Sequence, residues 1–325
     1  MSEIKITGQK RLVIVTGRAH PQLAIDVAAE LGADLVHTDA RTFANGEIYA
    51  RYDESVRGCD AFVIQSHTNP INEWLMEQLI MVDALKRASA KRITVVSPFY
   101  PYARQDKKGR GREPISARLV ADLYKAAGAD RIMSVDLHAA QIQGFFDGPV
   151  DHLFAMPVLL EHFQKLLDPE TLTVVSPDMG RVRVADIWSD KLGAPLAIIH
   201  KRRDPLVPNK VTVHEIIGPV DGRVCLIVDD MIDTGGTIVK AAEALKKAGA
   251  TKVIVAATHA IFSHPASELL QSAAIDSVVV TDTLPIPEEK RFPTLTVLPI
   301  APLLARAIHE VFDDGSVTSM FDGAA

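Results

Sequence analysis

Asp229, Asp230, Asp233, Thr234, Gly235, Gly236 and Thr237 bring two chemistries into one short segment. An apolar run, 223–228, precedes them, and a helical pattern opens at Ile238. Read as strand, turn and helix, the turn lies at the carboxyl end of a strand, where sheets flanked by helices bind ligands. Gly235 and Gly236 let the backbone approach a phosphate, and the N–H groups that open the helix face that anion. Asp229 and Asp230 would repel a phosphate but suit hydroxyls, as hydrogen-bond acceptors. Acids that read a diol beside a phosphate cradle describe a sugar phosphate. An ordinary Asp-Gly turn at a strand end is the plain alternative. The Gly-x-x-x-x-Gly-Lys-Ser/Thr spacing is absent, so this is not a Walker loop.

Three further clusters carry charge chemistry. The stretch 100–112 holds Arg104, Gln105, Lys107, Lys108, Arg110 and Arg112 behind Tyr100 and Tyr102, after a strand that ends near Ser97. Arg forks onto phosphate oxygens and stacks on bases, so this loop suits a nucleotide; a solvated basic loop is the alternative. His200, Lys201, Arg202 and Arg203 follow another apolar strand and open the stretch 204–214, which has two prolines and little periodicity. That stretch reads as a mobile loop, and its cations either act or are solvated. Finally, Asp136-Leu-His138 and Val175-Ser-Pro-Asp178-Met-Gly180-Arg181 put an imidazole and carboxylates just past strand ends. Two carboxylates and an imidazole suit a hard divalent cation that also touches phosphate oxygens. A buried structural histidine is the alternative for His138.

These residues need a frame of strands. Val/Ile-rich runs recur at 11–16, 60–66, 91–97, 131–136, 171–176, 196–200, 223–229, 252–258 and 276–281. Helical patterns fall at 71–88, 114–127, 155–167 and 237–248. That alternation predicts an α/β protein with mostly parallel sheets. The chain also repeats itself: Ala84–Ser97 aligns with Ala244–Ala257 at an offset of 160 residues. Helix-to-strand turns often look alike; the other reading is two similar domains, divided here as 1–158 and 159–325. In the first, the strand from Asp60 runs into Ser66-His-Thr-Asn rather than into paired acids. That half would have lost the sugar site and be free to hold the nucleotide.

With 325 residues, 47% of them hydrophobic and 23% charged, the chain has ample core for two domains. A net charge of −6 gives no general affinity for nucleic acid or anionic membranes. Cys59 and Cys225 are isolated within or near strands and read as apolar filler, which favours a reducing compartment. No signal-peptide pattern and no spanning apolar run is present, so a cytoplasmic location is expected.

The 229–237 segment resembles the phosphoribosyl-diphosphate loop of the type I phosphoribosyltransferase fold. The run Asp136-Leu-His138-Ala-Ala-Gln141-Ile-Gln-Gly144-Phe-Phe-Asp147-Gly-Pro149-Val-Asp151 resembles the signature of the ribose-phosphate diphosphokinase (phosphoribosyl pyrophosphate synthetase) family, class I type. The resemblance extends from Phe43 to Phe321. It implies two similar phosphoribosyltransferase-like domains, each a mostly parallel sheet flanked by helices, with ATP bound by the first and ribose 5-phosphate by the second. The implied reaction transfers the diphosphoryl group of ATP to the anomeric hydroxyl of ribose 5-phosphate, giving 5-phosphoribosyl 1-diphosphate and AMP. Phe43, Asn45, Glu47, Arg104 and Gln105 fall where the family binds ATP. The 43–47 segment reaches a neighbouring subunit's site in the family, which implies a homo-oligomer, a homohexamer. His138 and Asp178 take the family's magnesium (Mg2+) positions, with Asp136 and Asp147 as helpers. Lys201 and Arg203 match its catalytic pair. Arg203, Asp229, Asp230 and the 233–237 turn match the ribose 5-phosphate site. Arg181 departs from the family pattern, which has two glycines after this Asp; it either adds a phosphate contact or points to solvent. Two alternatives remain: a phosphoribosyltransferase, and a non-catalytic regulatory relative. Residues 107–112, Ser116 and 316–321 are compatible with a regulatory phosphate or ADP site, which no spacing establishes.

Overall fold

The computed structural model describes residues 10–202 and 213–321, and only the backbone at 201, 202, 213 and 214. The elements run β1 (Leu12–Thr16), α1 (Pro21–Leu31), β2 (Thr38–Thr42), β3 (Ile48–Tyr52), β4 (Asp60–Ile64), α2 (Ile71–Arg87), β5 (Arg92–Val96), α3 (Ser116–Ala127), β6 (Arg131–Val135) and β7 (Val150–Leu153). They continue with α4 (Met156–Gln164), β8 (Leu172–Ser176), α5 (Val182–Leu192), β9 (Leu196–Arg202), β10 (Val213–Ile217), β11 (Val224–Ile232), α6 (Gly236–Lys247), β12 (Lys252–Ala260), α7 (Ala266–Leu269), β13 (Ser277–Thr281), β14 (Leu295–Leu298) and α8 (Ala301–Phe312).

The chain divides into two compact units, 1–153 with 301–325, and 154–300. Their membership differs from a division at 158 because α8 groups with the first unit. Its buried side chains, Ala301, Leu304, Ala305, Ala307, Ile308 and Val311, recur at helical spacing and form one apolar stripe. Helix α1 is its main partner. Asp314, just beyond α8, is paired with Lys10 and with Arg92, the latter at 2.9 Å. Hydrogen bonds from those two cations draw its pKa down to about 2.

The first unit is built on a five-stranded sheet in the order β1-β4-β5-β6-β7, all pairs parallel. Its interior strand β4 is buried at every position, as parallel strands covered on both faces must be. Strands β2 and β3 pair antiparallel as a separate ribbon. The second unit carries a seven-stranded sheet, β10-β9-β8-β11-β12-β13-β14, in which only the β9–β10 pairing is antiparallel. The α/β class and the flanked parallel sheets agree with expectation.

The repeat extends to topology. Strands β8-β11-β12-β13-β14 reproduce the order β1-β4-β5-β6-β7. Helices α1 and α5 each have 11 residues and end on a left-handed glycine, Gly32 and Gly193. Registers make the correspondence specific. Asp60 pairs with Arg92, and Val224 pairs with Lys252. Matching Arg92 to Lys252 therefore sets Gln65 and Ser66 at the positions of Asp229 and Asp230.

Gly218, directly after β10, has φ +120. A Cβ there would lie 2.5 Å from Leu196 O and 2.8 Å from Ala197 Cα, both backbone atoms that cannot swing aside. Gly218→Ala is expected to lose about 2–5 kcal/mol of stability, from left-handed strain plus overpacking. Chemical denaturation checks this; an unchanged midpoint would mean that the turn relaxes freely.

Candidate active site

In the second unit, strand order decides which loops meet. Strand β8 pairs with β11 on one side and with β9 on the other, all parallel. The segments after β8 and β11 therefore emerge side by side at the carboxyl edge of the sheet. Strand β11 does not end at Asp229, as the apolar pattern suggests, but runs on to Ile232 because β12 keeps pairing with it, Asp229 to Ala257 and Ile232 to Ala260. Asp229 and Asp230 are thus held by strand geometry rather than by a loose turn. Their side chains are 19% and 8% exposed.

Arg181 reaches both acids. Its Nε lies 3.3 Å from Asp229 Oδ1 and its Nη2 2.5 Å from Asp230 Oδ2. The Arg181 side chain is 16% exposed and its guanidinium is engaged with the acids, so it does not point to solvent. Asp229 Oδ1 also accepts the Asp230 N–H at 2.8 Å. Burial first, and the facing Asp230 second, raise Asp229 far above the usual carboxylate range, to about 8, against the lowering pull of Arg181.

The turn that follows has the form a phosphate cradle needs. Gly235 has φ 78 and precedes α6, whose first residue is Gly236. A Cβ at Gly236 would meet open space, so its backbone can be approached closely. Thr234 and Thr237 are exposed, and Asp233 is half-buried. The N-terminal N–H groups of a 12-residue helix open at this point.

Asp178 follows β8, half-buried, and its Oδ1 accepts the Gly180 N–H at 2.8 Å. Lys201 was expected on a loop but belongs to β9. Beyond Ile198 that strand pairs with β10 alone, His214 standing opposite Lys201. The Lys201 side chain, Arg203 and residues 204–212, the greater part of the expected mobile loop, lie outside the described residues.

In the first unit, Gln65 and Ser66 at the diacid positions are fully buried and spoken for. Gln65 Nε2 donates to Glu77 Oε1 at 3.0 Å, and Glu77 accepts the Arg18 N–H at 2.7 Å and Arg18 Nε at 2.6 Å. Next to them, His67 is buried with Ser97 Oγ 3.0 Å from Nδ1, and burial pushes its pKa down to about 4, keeping it neutral. The acid pair has been replaced by a closed polar network. Nothing in the sequence spacing revealed that Arg18 and Glu77 join it, since the pairing bridges 59 residues.

Arg104 and Gln105 are exposed in the segment between β5 and α3, and Gln105 Oε1 accepts the Ser116 hydroxyl at 2.6 Å. Asp106 beside them is buried and bonded to Gln141. His138 is half-buried three residues past β6, after Asp136, which adopts φ 39. Asp147 is exposed, and its carbonyl accepts Lys125 Nζ at 2.6 Å. Phe43, Asn45 and Glu47 form the tip of the β2–β3 ribbon. The Phe43 N–H donates to Glu47 O at 2.7 Å, while its ring is 46% exposed, 6.0 Å from that of Tyr49. Cys59 and Cys225 are buried free thiols, as expected. Among the described residues no helix is long and apolar enough to cross a membrane.

Two family models match the chain: the N-terminal domain of ribose phosphate pyrophosphokinase over residues 12–128, and the phosphoribosyl synthetase-associated domain over residues 197–322. The chain is 64% identical over 322 residues to a ribose-phosphate pyrophosphokinase of Streptomyces avermitilis, covering 99% of each. It is 60% identical over 326 residues to a ribose-phosphate pyrophosphokinase of Mycobacterium tuberculosis, covering 100% of each. The crystal structure of phosphoribosylpyrophosphate synthetase from Mycobacterium smegmatis superposes with a TM-score of 0.90 at 60% identity, over 94% of this chain and 100% of that one.

Proposed function

The chain belongs to the ribose-phosphate pyrophosphokinase family, and from that premise we propose how its residues divide the reaction. It is an enzyme that transfers the diphosphoryl group of ATP to ribose 5-phosphate, giving 5-phosphoribosyl 1-diphosphate and AMP. The observation that carries the assignment within the second unit is the acid pair Asp229–Asp230, whose second member stands five residues ahead of the Gly235-Gly236 helix start. A phosphoribosyltransferase shares that turn, but full-length identity to pyrophosphokinases sets it aside.

The turn 233–237 binds the 5-phosphate. Asp229 and Asp230 accept hydrogen bonds from the ring hydroxyls and so aim the anomeric oxygen at the β-phosphorus. The anomeric oxygen loses its proton and bonds to that phosphorus. The bond from phosphorus to the α–β bridging oxygen breaks, and its electron pair leaves with AMP. Lys201 and Arg203 supply positive charge where it builds up, on the β-phosphate and bridging oxygen; such chemistry depends on placement and charge more than on covalent help. Arg203 also meets the sugar phosphate.

Arg104 and Gln105 hold the ATP phosphates and base from the first unit. Phe43, Asn45 and Glu47 serve the ATP site of a neighbouring subunit in a homohexamer. In support, the β2–β3 ribbon joins neither sheet, and Phe43 keeps its ring outside the core. His138 and Asp178 would hold magnesium, with Asp136 and Asp147 as helpers, through water or from behind the ligands. One hard carboxylate and one imidazole fit a cation that retains waters and takes phosphate oxygens, and when bound it neutralises the charge of ATP. The reactants and the two free buried thiols suit a cytoplasmic enzyme.

Sugar-dependent AMP release by the purified chain alone tests the assignment; no release would favour the regulatory relative. Phe43→Ala is expected to raise the KM for ATP about 5- to 100-fold, the worth of one base–aromatic stack, with the unfolding midpoint unchanged because the ring is exposed. An unchanged KM would remove Phe43 from the ATP site. Sedimentation should return a mass near six chains.

A further inference from the structure

The family pattern gives no reason for an arginine at 181, yet the fold aims this one at the centre of the sugar site. Strands β8 and β11 are neighbours, with Val175 opposite Ile227. Arg181, six residues past Val175, therefore arrives beside Asp229 and Asp230, two and three residues past Ile227. Its two nitrogens divide between the two carboxylates, at 3.3 and 2.5 Å. All three side chains are less than a fifth exposed, so this is no solvated surface pair.

We propose that Arg181 is a positioning residue of the sugar site, whose guanidinium sets the two carboxylates as one paired acceptor for the ring hydroxyls of ribose 5-phosphate. The inference rests on reading Asp229 and Asp230 as the acids that bind those hydroxyls. Two adjacent buried carboxylates repel each other, and the guanidinium pulls against that repulsion and against burial, favouring the acceptor form of the pair. The planar fork of a guanidinium fixes the direction of both partners at once. Each acid then keeps lone pairs for the diol. Lysine supplies the charge without the fork, so Lys and Arg differ at this position.

The helix geometry makes the test clean. Arg181 is the residue before α5, with φ −105 and no side-chain cap hydrogen bond, so replacing it does not remove a cap. Glycine is accepted at that position.

Steady-state KM values for both substrates should be measured in the wild type, R181G, R181M, R181K and D229N, with unfolding midpoints alongside. We expect R181G and R181M to raise the KM for ribose 5-phosphate about 10- to 100-fold, the scale of a charge-assisted pair, with the KM for ATP within about 2-fold. R181K should recover part of the loss. R181M keeps the apolar stem and decides the matter if R181G does not fold. An unchanged sugar KM in the folded variants, or an equal rise in both KM values with a fallen midpoint, would overturn the proposal and leave Arg181 a structural tie. D229N separates the two levels. If D229N raises the sugar KM and the Arg181 variants do not, only the role of Arg181 fails. If D229N also leaves it unchanged, the reading of the acid pair fails first.

Discussion

Lys201→Ala lowers turnover by about 10²- to 10⁴-fold while the fold and the binding of both substrates are kept, the loss typical of removing one donor that acts chiefly in the transition state. The expectation combines chemistry with placement. Charge accumulates on the β-phosphate and the bridging oxygen as AMP departs, and water screens that charge unless cations are held close. Lys201 lies on β9, the strand next to β8, near the edge where Asp178 and, one strand further, the 229–237 segment emerge. Its backbone is hydrogen-bonded into the β9–β10 ribbon, so this cation starts from a defined strand position. Removing the side chain leaves that pairing intact, which is why the unfolding midpoint should not move. Single-turnover kinetics separate the chemical step from binding. A near-normal rate would take Lys201 out of the reaction.

Asp229→Asn is expected to do two opposite things. It should raise the KM for ribose 5-phosphate by about 10- to 100-fold, and the KM for ATP far less, because a carboxyl oxygen that accepts from the ring hydroxyls becomes a donating amide nitrogen. It should also stabilise the free protein at alkaline pH. Asp229 is raised from 3.8 to about 8 by burial and by Asp230. A folded-state pKa above the unfolded one gives stability that is complete below about pH 4 and is lost as pH rises through about 8. The amide does not titrate. Relative to the wild type, the variant should therefore gain stability from pH 4 to pH 8, by on the order of a few kcal/mol. Unfolding midpoints across that range measure it. Parallel pH profiles would mean that Asp229 carries no such strain, and equal KM effects on both substrates would argue against its contact with the sugar. The site thus keeps a titratable carboxyl at a cost in stability, as sites that must read polar groups commonly do.

Much of this was legible because parallel strands advertise themselves. Strands buried on both faces need continuous apolar runs, and β4, β8 and β12 have them. The 14-residue self-similarity was a true repeat, since strand order and register both follow it. Other elements lacked that signature. Strands β2 and β3 read Thr-Asp-Ala-Arg-Thr and Ile-Tyr-Ala-Arg-Tyr and are at most half-buried, so no apolar alternation marked them. Helix α8 groups with the first unit through packing on α1, a contact across nearly the whole chain that local pattern does not encode. The extension of β11 past its acids came from pairing with β12 rather than from β-propensity, which is low for Asp. Arg181 stood out in the sequence as a departure, but its target followed only from the adjacency of β8 and β11. Glu77 and Arg18 gave no signal at all.

The most direct test of the central claim is a phosphorus NMR time course of the purified protein with magnesium, ATP and ribose 5-phosphate. Transfer from the β-phosphorus predicts that AMP and a sugar-linked diphosphate rise together, with no early ADP or free pyrophosphate. ATP left intact at every phosphate concentration tried, or ADP as the first product, would contradict it.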